Sequence, residues 1–386
     1  MWKTLVRIRT WPVDALARLP LALALMAGLA ACSAMPRKFE AAAIPPSILL
    51  PWDKAGITDG RGRFREIFGE IQKERGAQLP DDRASQGDSA LWRLAGEPPA
   101  TGRPVRLGKS TAGLAVVMVP GLLAECVADK SLVFQDGVAN LRAQDYQTGY
   151  IQTRGRQSSD RNADIIHDAV MSMPENRLIL VTHSKGTVDT LEALVKYPEL
   201  TDRVLAVISV SGAVNGSPIA DVVPETLAKL GEQASLSSCP PGQGTEAVDS
   251  LRPSVRLGWL ASHELPAKVR FYSLAAFAKP QDISLILKPF YNILSQTDPL
   301  NDSLVVCSDA IIPGSTLLGY PNADHLAVAM PFAEKNPILS SALITRNHYP
   351  RAVLLEAAVR FAEEDLQAHG ALPDEPVSGL TAPAHS

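Results

Sequence analysis

The run Leu180-Val181-Thr182-His183-Ser184-Lys185-Gly186-Thr187 joins a continuous apolar segment to a helical one through a single serine. Arg177 to Val181 reads as a buried parallel strand, because its apolar residues do not alternate with polar ones. Thr187 to Tyr197 reads as a helix, with Val188, Leu191, Leu194 and Val195 on one side. Small residues two before and two after Ser184 allow the chain to turn sharply there. Such a turn lifts the hydroxyl clear of the sheet edge, and the helix that follows brings its N-terminal dipole to the same place. A serine between strand and helix also serves as a plain helix cap. On this motif alone both readings stand.

Outward from this centre, strands and helices alternate. Leu114 to Val119 is a second buried strand, and residues 131–143 form a helix. Tyr146 to Gln152, Arg203 to Val210, Val269 to Leu274 and Thr316 to Tyr320 are further strands. Residues 161–172 are helical, with Ile165, Ile166, Ala169 and Val170 on one face. This alternation predicts an α/β fold with a mostly parallel central sheet and helices on both faces. Residues 213–267 interrupt it and could form a lid. In front, Phe64, Ile67, Phe68 and Ile71 mark a helical stretch within an N-terminal extension, residues 59–112, with a strand expected near Val105. The segment from 371 to 386 has low hydrophobicity and three prolines and reads as a disordered tail.

A serine hydroxyl needs a base and an orienting acid before it can attack a carbonyl at neutral pH. On sheets of this kind such groups gather on loops at the carboxyl ends of strands. Asp298-Pro299-Leu300-Asn301-Asp302-Ser303 follows the strand ending near Leu274, and Asn322-Ala323-Asp324-His325 follows the strand Thr316 to Tyr320. Among the seven histidines His325 is the best-placed base. His183 should point away from the site, and His348 has no strand leading to it. Asp302 is favoured as the acid and Asp298 is the alternative; Asp324 is expected to shape the loop. The tetrahedral oxyanion would be held by the backbone amides of Lys185 and of Leu122, where Gly121 permits close approach.

These segments together resemble the bacterial lipase and esterase branch of the α/β-hydrolases. Val119-Pro120-Gly121-Leu122 is similar to the family's oxyanion loop, and His183-Ser184-Lys185-Gly186 to its nucleophile segment. Gly212 to Asp221 resembles the lipase segment P-H-R-G-S-P-x-A-D. Asn301-Asp302-Ser303-Leu304-Val305 resembles the acid loop N-D-G-x-V, and Asp324-His325-Leu326 the histidine loop. The likeness covers residues 113 to about 365. It implies an α/β-hydrolase fold and cleavage of carboxylic esters through an acyl-enzyme on Ser184, with no cofactor. Acyl transfer or thioester cleavage would use the same groups, and a non-catalytic envelope lipoprotein on this scaffold is the rival from another class. Thr182, Asn215 and Ser303 depart from the family's Gly, Arg and Gly. In the matching lipases a calcium ion steadies the histidine loop; no ligands for one can be assigned in this sequence.

The beginning of the chain concerns location. Lys3, Arg7, Arg9 and Arg18 precede the apolar run Leu19 to Leu29, too short to span a bilayer. It ends in Leu29-Ala30-Ala31-Cys32, which resembles the bacterial lipobox. That resemblance implies removal of residues 1–31 and acylation of Cys32, which anchors the protein without spanning the membrane. Ser33 after the cysteine implies outer-membrane sorting. Residues 32–58, rich in Ala and Pro, read as a tether. Loss of residues 1–31 takes the net charge from −4 to −7. The remaining Lys and Arg are scattered, which argues against nucleic-acid binding. Of the other cysteines, Cys239 and Cys307 lie in loop-like stretches and are paired as an expected disulfide, leaving Cys126 free. The sequence has no C-x-x-C, H-E-x-x-H or phosphate-binding glycine loop.

Overall fold

The computed structural model describes residues 56–79, 87–122, 132–222, 246–332 and 349–372. Contacts divide the chain into residues 1–45 and 46–386, and everything described belongs to the second unit. Its strands are β1 (Thr58–Asp59), β2 (Leu91–Trp92), β3 (Ala115–Val119), β4 (Gln147–Tyr150), β5 (Leu178–His183), β6 (Val204–Val210), β7 (Arg270–Leu274) and β8 (Thr316–Pro321). The sheet order is β1-β8-β7-β6-β5-β3-β4. All neighbours on that path are parallel, and β2 adds to β8 antiparallel. The principal helices are α1 (Arg61–Arg75), α2 (Gln135–Ala143), α3 (Ser159–Ser172), α4 (Lys185–Lys196), α5 (Pro253–Ser262), α6 (Lys288–Leu294) and α7 (Arg351–Ala368). No helix among the described residues is long and apolar enough to cross a membrane.

Successive strand residues point to opposite faces, so each apolar run feeds two cores. Val116 and Met118 of β3, with Ile179 and Val181 of β5, enter the core covered by α1, α2 and α7. Val117, Val119, Leu178 and Leu180 enter the other, against Ile166 and Val170 of α3 and Leu194 of α4. The apolar runs read from the sequence therefore lack alternation because both faces are covered. Ser158 caps α3, its hydroxyl accepting from the Arg161 amide at 3.4 Å.

The segment 59–112 does not stand in front of the sheet but is built into it. β1 pairs with Thr316 and Leu317 of β8. Phe64, Ile67, Phe68 and Ile71 of α1 are buried in the larger core. Trp92 stacks on Phe277 at 5.3 Å and donates to its carbonyl at 2.9 Å. The strand expected near Val105 does not form. Residues 103 and 104 instead offer their carbonyls to Arg63, and a carbonyl bound by a side chain is not available to a neighbouring strand.

At the start of α7, Arg351 and Asp136 of α2 form a fully buried ion pair at 2.8 Å. Arg351 also donates to the Ala327 carbonyl at 2.9 Å, two residues past His325. Removing one partner of such a pair leaves the other charge buried, at a cost of about 3–5 kcal/mol. Arg351→Met is therefore expected to lower unfolding free energy in urea by that amount; a loss under about 1 kcal/mol would contradict the pairing.

Candidate active site

β5 runs straight into α4 with Ser184 between them, at φ 57° and ψ −129°. This left-handed backbone is costly for a residue with a Cβ and persists only where surroundings enforce it. Two glycines make the room. A Cβ on Gly186 would lie 2.5 Å from the carbonyl oxygens of Val119 and Pro120, and one on Gly121 would lie 2.7 Å from the Ser184 Cβ. Thr182, at the family's first glycine position, is also accommodated. Its hydroxyl lies 2.7 Å from that of Thr187, which lies 3.1 Å from that of Ser209. Gly212 leaves this hydroxyl cluster its space, since a Cβ there would meet Ser209 Oγ at 2.3 Å.

The Ser184 hydroxyl lies 2.8 Å from His325 Nε2, and His325 Nδ1 lies 2.7 Å from Asp302 Oδ2. All three residues are buried, with Ser184 the most accessible at 8%. The carboxylate only accepts, so Nδ1 carries the proton and Nε2 presents its lone pair to the serine. Asp302 is fixed in turn, because its Oδ1 accepts from the amides of Leu304 and Val305 at 3.0 and 2.8 Å. The Asp302 carbonyl also accepts from the His325 amide at 2.8 Å, tying the two loops together.

Asp298 is not part of this convergence. Its carboxylate accepts from the Leu300 amide at 2.8 Å and its carbonyl from the Asn301 side chain, as a turn residue does. Lys185 begins α4, where the first amides have no partner within the helix. The Gly121 backbone comes so close that a Cβ there would lie 3.2 Å from the Lys185 nitrogen, and this brings the Leu122 segment beside the elbow.

The structure also corrects two expectations. His183 does not point away: its Nε2 donates to the His325 carbonyl at 3.0 Å, and the two rings lie 4.7 Å apart. Burial, with His325 alongside, pushes its pKa well below the usual histidine range, so it is neutral. Cys307 is a free thiol, not a disulfide partner. It is buried in the core under β7 and β8, pointing toward the Ala275 carbonyl at 3.5 Å, and burial pushes its pKa well up. Cys239, Cys126 and the lipobox Cys32 lie outside the described residues.

Against known proteins, one comparison is decisive. The crystal structure of the metagenomic carboxyl esterase MGS0156 is similar at 58% sequence identity, with a TM-score of 0.81 over 86% of this chain and 100% of that one. The chain belongs to the carboxyl esterases of the α/β-hydrolase fold. The mature lipase BlEst2 of Bacillus licheniformis is similar at 21% identity and TM-score 0.44, covering 58% of this chain and 89% of that one. No protein-family model and no curated protein matches the sequence.

In this esterase the histidine loop is held by the protein itself. Asp324 Oδ1 accepts from the amides of Leu326 and Ala327 at 3.1 and 2.9 Å. Its Oδ2 accepts from the Ser284 amide at 2.8 Å and from the Ser284 hydroxyl. Among the described residues no group of three or more His, Cys, Asp or Glu could hold a metal ion. The residues around this loop do not fit calcium, because its one carboxylate is already occupied by four donors. A chelator is expected to leave both activity and melting temperature unchanged; a loss of either that added calcium restores would contradict this.

The esterase's acid loop departs from the pattern N-D-G-x-V at Ser303, where φ is 91°, a region that favours glycine. Among the described residues its buried hydroxyl has no hydrogen-bond partner. Ser303→Gly removes the strain and the unpaired group together. We expect a gain of about 1 kcal/mol in urea unfolding with ester turnover preserved. A loss of stability would show that the serine is held by something other than this strained turn.

Proposed function

We propose that the protein cleaves carboxylic esters through an acyl-enzyme on Ser184. The observation that carries this reading is the continuous line of short hydrogen bonds from Ser184 Oγ to His325 to Asp302. In the first half-reaction Ser184 Oγ attacks the ester carbonyl carbon while His325 Nε2 takes its proton. The carbonyl electrons move onto oxygen, and we assign the Leu122 and Lys185 amides as the donors that hold that oxyanion. Collapse breaks the carbonyl-to-alkoxy bond, and His325 returns the proton to the departing alcohol. Water then repeats the sequence, releasing the acid and restoring Ser184. Asp302 holds the imidazole in place and stabilises the imidazolium.

An apolar acyl chain suits the exposed surface. Leu122 on the oxyanion loop, Leu300 beside the acid loop, and Leu285 and Ile286 next to Ser284 are all large exposed hydrophobic residues. Esters, and lipid-like esters in particular, are therefore the substrate class we infer. The test is a series of p-nitrophenyl esters of rising chain length. Turnover of at least one member supports the reading, and a folded protein that cleaves none of them contradicts it.

We further propose that Cys32 is acylated and that the segment after it, up to the sheet residue Thr58, tethers the hydrolase to the cell envelope, at the outer membrane. The support is the lipobox Leu29-Ala30-Ala31-Cys32 with Ser33 after it. Metabolic labelling with an alkyne fatty acid should mark the wild type and not Cys32→Ala; equal labelling of both would remove the proposal.

A further inference from the structure

Behind the elbow lies a buried ionic group that the reaction above does not use. The Lys185 side chain turns into the core, fully buried, and its Nζ bonds Asp189 Oδ1 at 2.6 Å one helical turn along α4. Asp189 Oδ2 accepts from Asn162 Nδ2 of α3 at 2.8 Å. Asn162, itself fully buried, closes on the segment after β4. It donates to the Arg154 carbonyl and accepts from the Arg154 amide, both at 3.0 Å. One residue earlier, the Thr153 hydroxyl donates to the Pro120 carbonyl at 3.4 Å.

One chain of polar contacts thus joins the two backbone segments expected to bind the oxyanion. It runs from Lys185 through Asp189, Asn162 and the 153–154 segment to Pro120, which precedes Gly121 and Leu122. A buried ion pair is a poor device for stability, since hydrophobic residues of similar volume usually do as well or better. What hydrophobic contacts do not supply is fixed direction, and an oxyanion hole depends on direction. A reacting group misplaced by about 1 Å can cost about 10²-fold in rate.

We propose that Asp189 is a positioning residue for ester cleavage. With Asn162 it sets the Lys185 amide and the Pro120–Leu122 loop at the spacing the oxyanion requires. This rests on the ester-hydrolase reading above.

The test uses the whole chain and two variants, Asn162→Ala and Lys185→Met/Asp189→Leu. The second replaces the ion pair by apolar residues and leaves the Lys185 backbone amide in place. Each is assayed for p-nitrophenyl ester turnover and for affinity toward an alkyl boronic acid, a mimic of the tetrahedral state. Circular dichroism and melting establish that the fold is kept. The expected result is a fall in kcat of about 10- to 100-fold with KM nearly unchanged. Boronate affinity should fall by about the same factor as kcat/KM. A folded double variant with wild-type kcat and boronate affinity would overturn the proposal. Should that variant not fold, wild-type values in Asn162→Ala overturn it equally. A wild type that cleaves no ester removes the hydrolase reading, and this inference with it; an active wild type with unaffected variants removes this inference alone.

Discussion

Replacing Ser184 by alanine is expected to lower kcat for ester cleavage by about 10⁶-fold, leaving a residue of about 10³–10⁴ over the uncatalysed rate from oxyanion binding and substrate positioning. The serine oxygen forms the enzyme's covalent bond to the acyl group, and the scheme provides no other protein nucleophile for that step. The substitution removes one oxygen already confined in the elbow, so melting should change little. His325→Ala is expected to cost about as much, and the double variant no more than either alone, because the two act as a unit. Steady-state kinetics on purified protein check this. A Ser184→Ala variant within tenfold of wild type would mean that another group carries the reaction.

Asp302→Asn is the second large effect, with kcat expected to fall by about 10⁴-fold. The direction follows from how the side chain is held. Oδ1 accepts from the Leu304 and Val305 amides, so an asparagine must place its carbonyl oxygen there. Its NH₂ then faces His325 Nδ1, where Oδ2 now accepts at 2.7 Å. An amide donor at that place forces the proton to Nε2, and the imidazole turns an N–H toward Ser184 in place of a lone pair. The geometry survives and the base is lost. Asp298→Asn serves as the control: it keeps the turn and touches neither His325 nor Ser184, and it should retain wild-type kcat. If Asp298→Asn were the damaging change, the acid would be misassigned.

How much of this is legible in the sequence depends on how local each cause is. β3, β5 and β6 are plain in their apolar runs because burial on both faces makes most positions apolar. β1 and β2 are two residues each, too short for any period to register, and they exist because β8 offers them an edge. For that reason residues 59–112 read as an extension although α1 fills one core. The line Ser184, Asp302, His325 is readable because each residue follows a recognisable strand, and parallel strands bring their carboxyl ends together. The directions of neighbouring side chains are not readable in this way. His183 could be foreseen next to the serine but not its bond to the His325 carbonyl. Lys185 and Asp189 show i, i+4 spacing, yet their burial and their bond to Asn162 of α3 appear only in the structure. Cys307 sits in a loop-like stretch, as expected, but a short 3₁₀ turn carries its thiol beneath β7 and β8, toward the Ala275 carbonyl.

The departures from the family pattern have local physical answers. Thr182 is paid for by the missing Cβ of Gly212, and the strain at Ser303 is confined to the acid loop. Asn215 stands where the motif P-H-R-G-S-P-x-A-D has arginine, and it bonds Asp309 at 3.3 Å without a charge to offer. Burial accordingly holds the Asp309 carboxyl up at about 6. None of these lies in the line of atoms that moves the proton.

The most direct test is covalent. A fluorophosphonate reacts only with a serine activated by a neighbouring base. Wild-type protein treated with one should gain a single adduct by intact-mass spectrometry, found by peptide mapping on the fragment containing Ser184, and lost in both Ser184→Ala and His325→Ala. A folded wild type that gains no adduct, or gains it on another residue, would contradict the account at its centre.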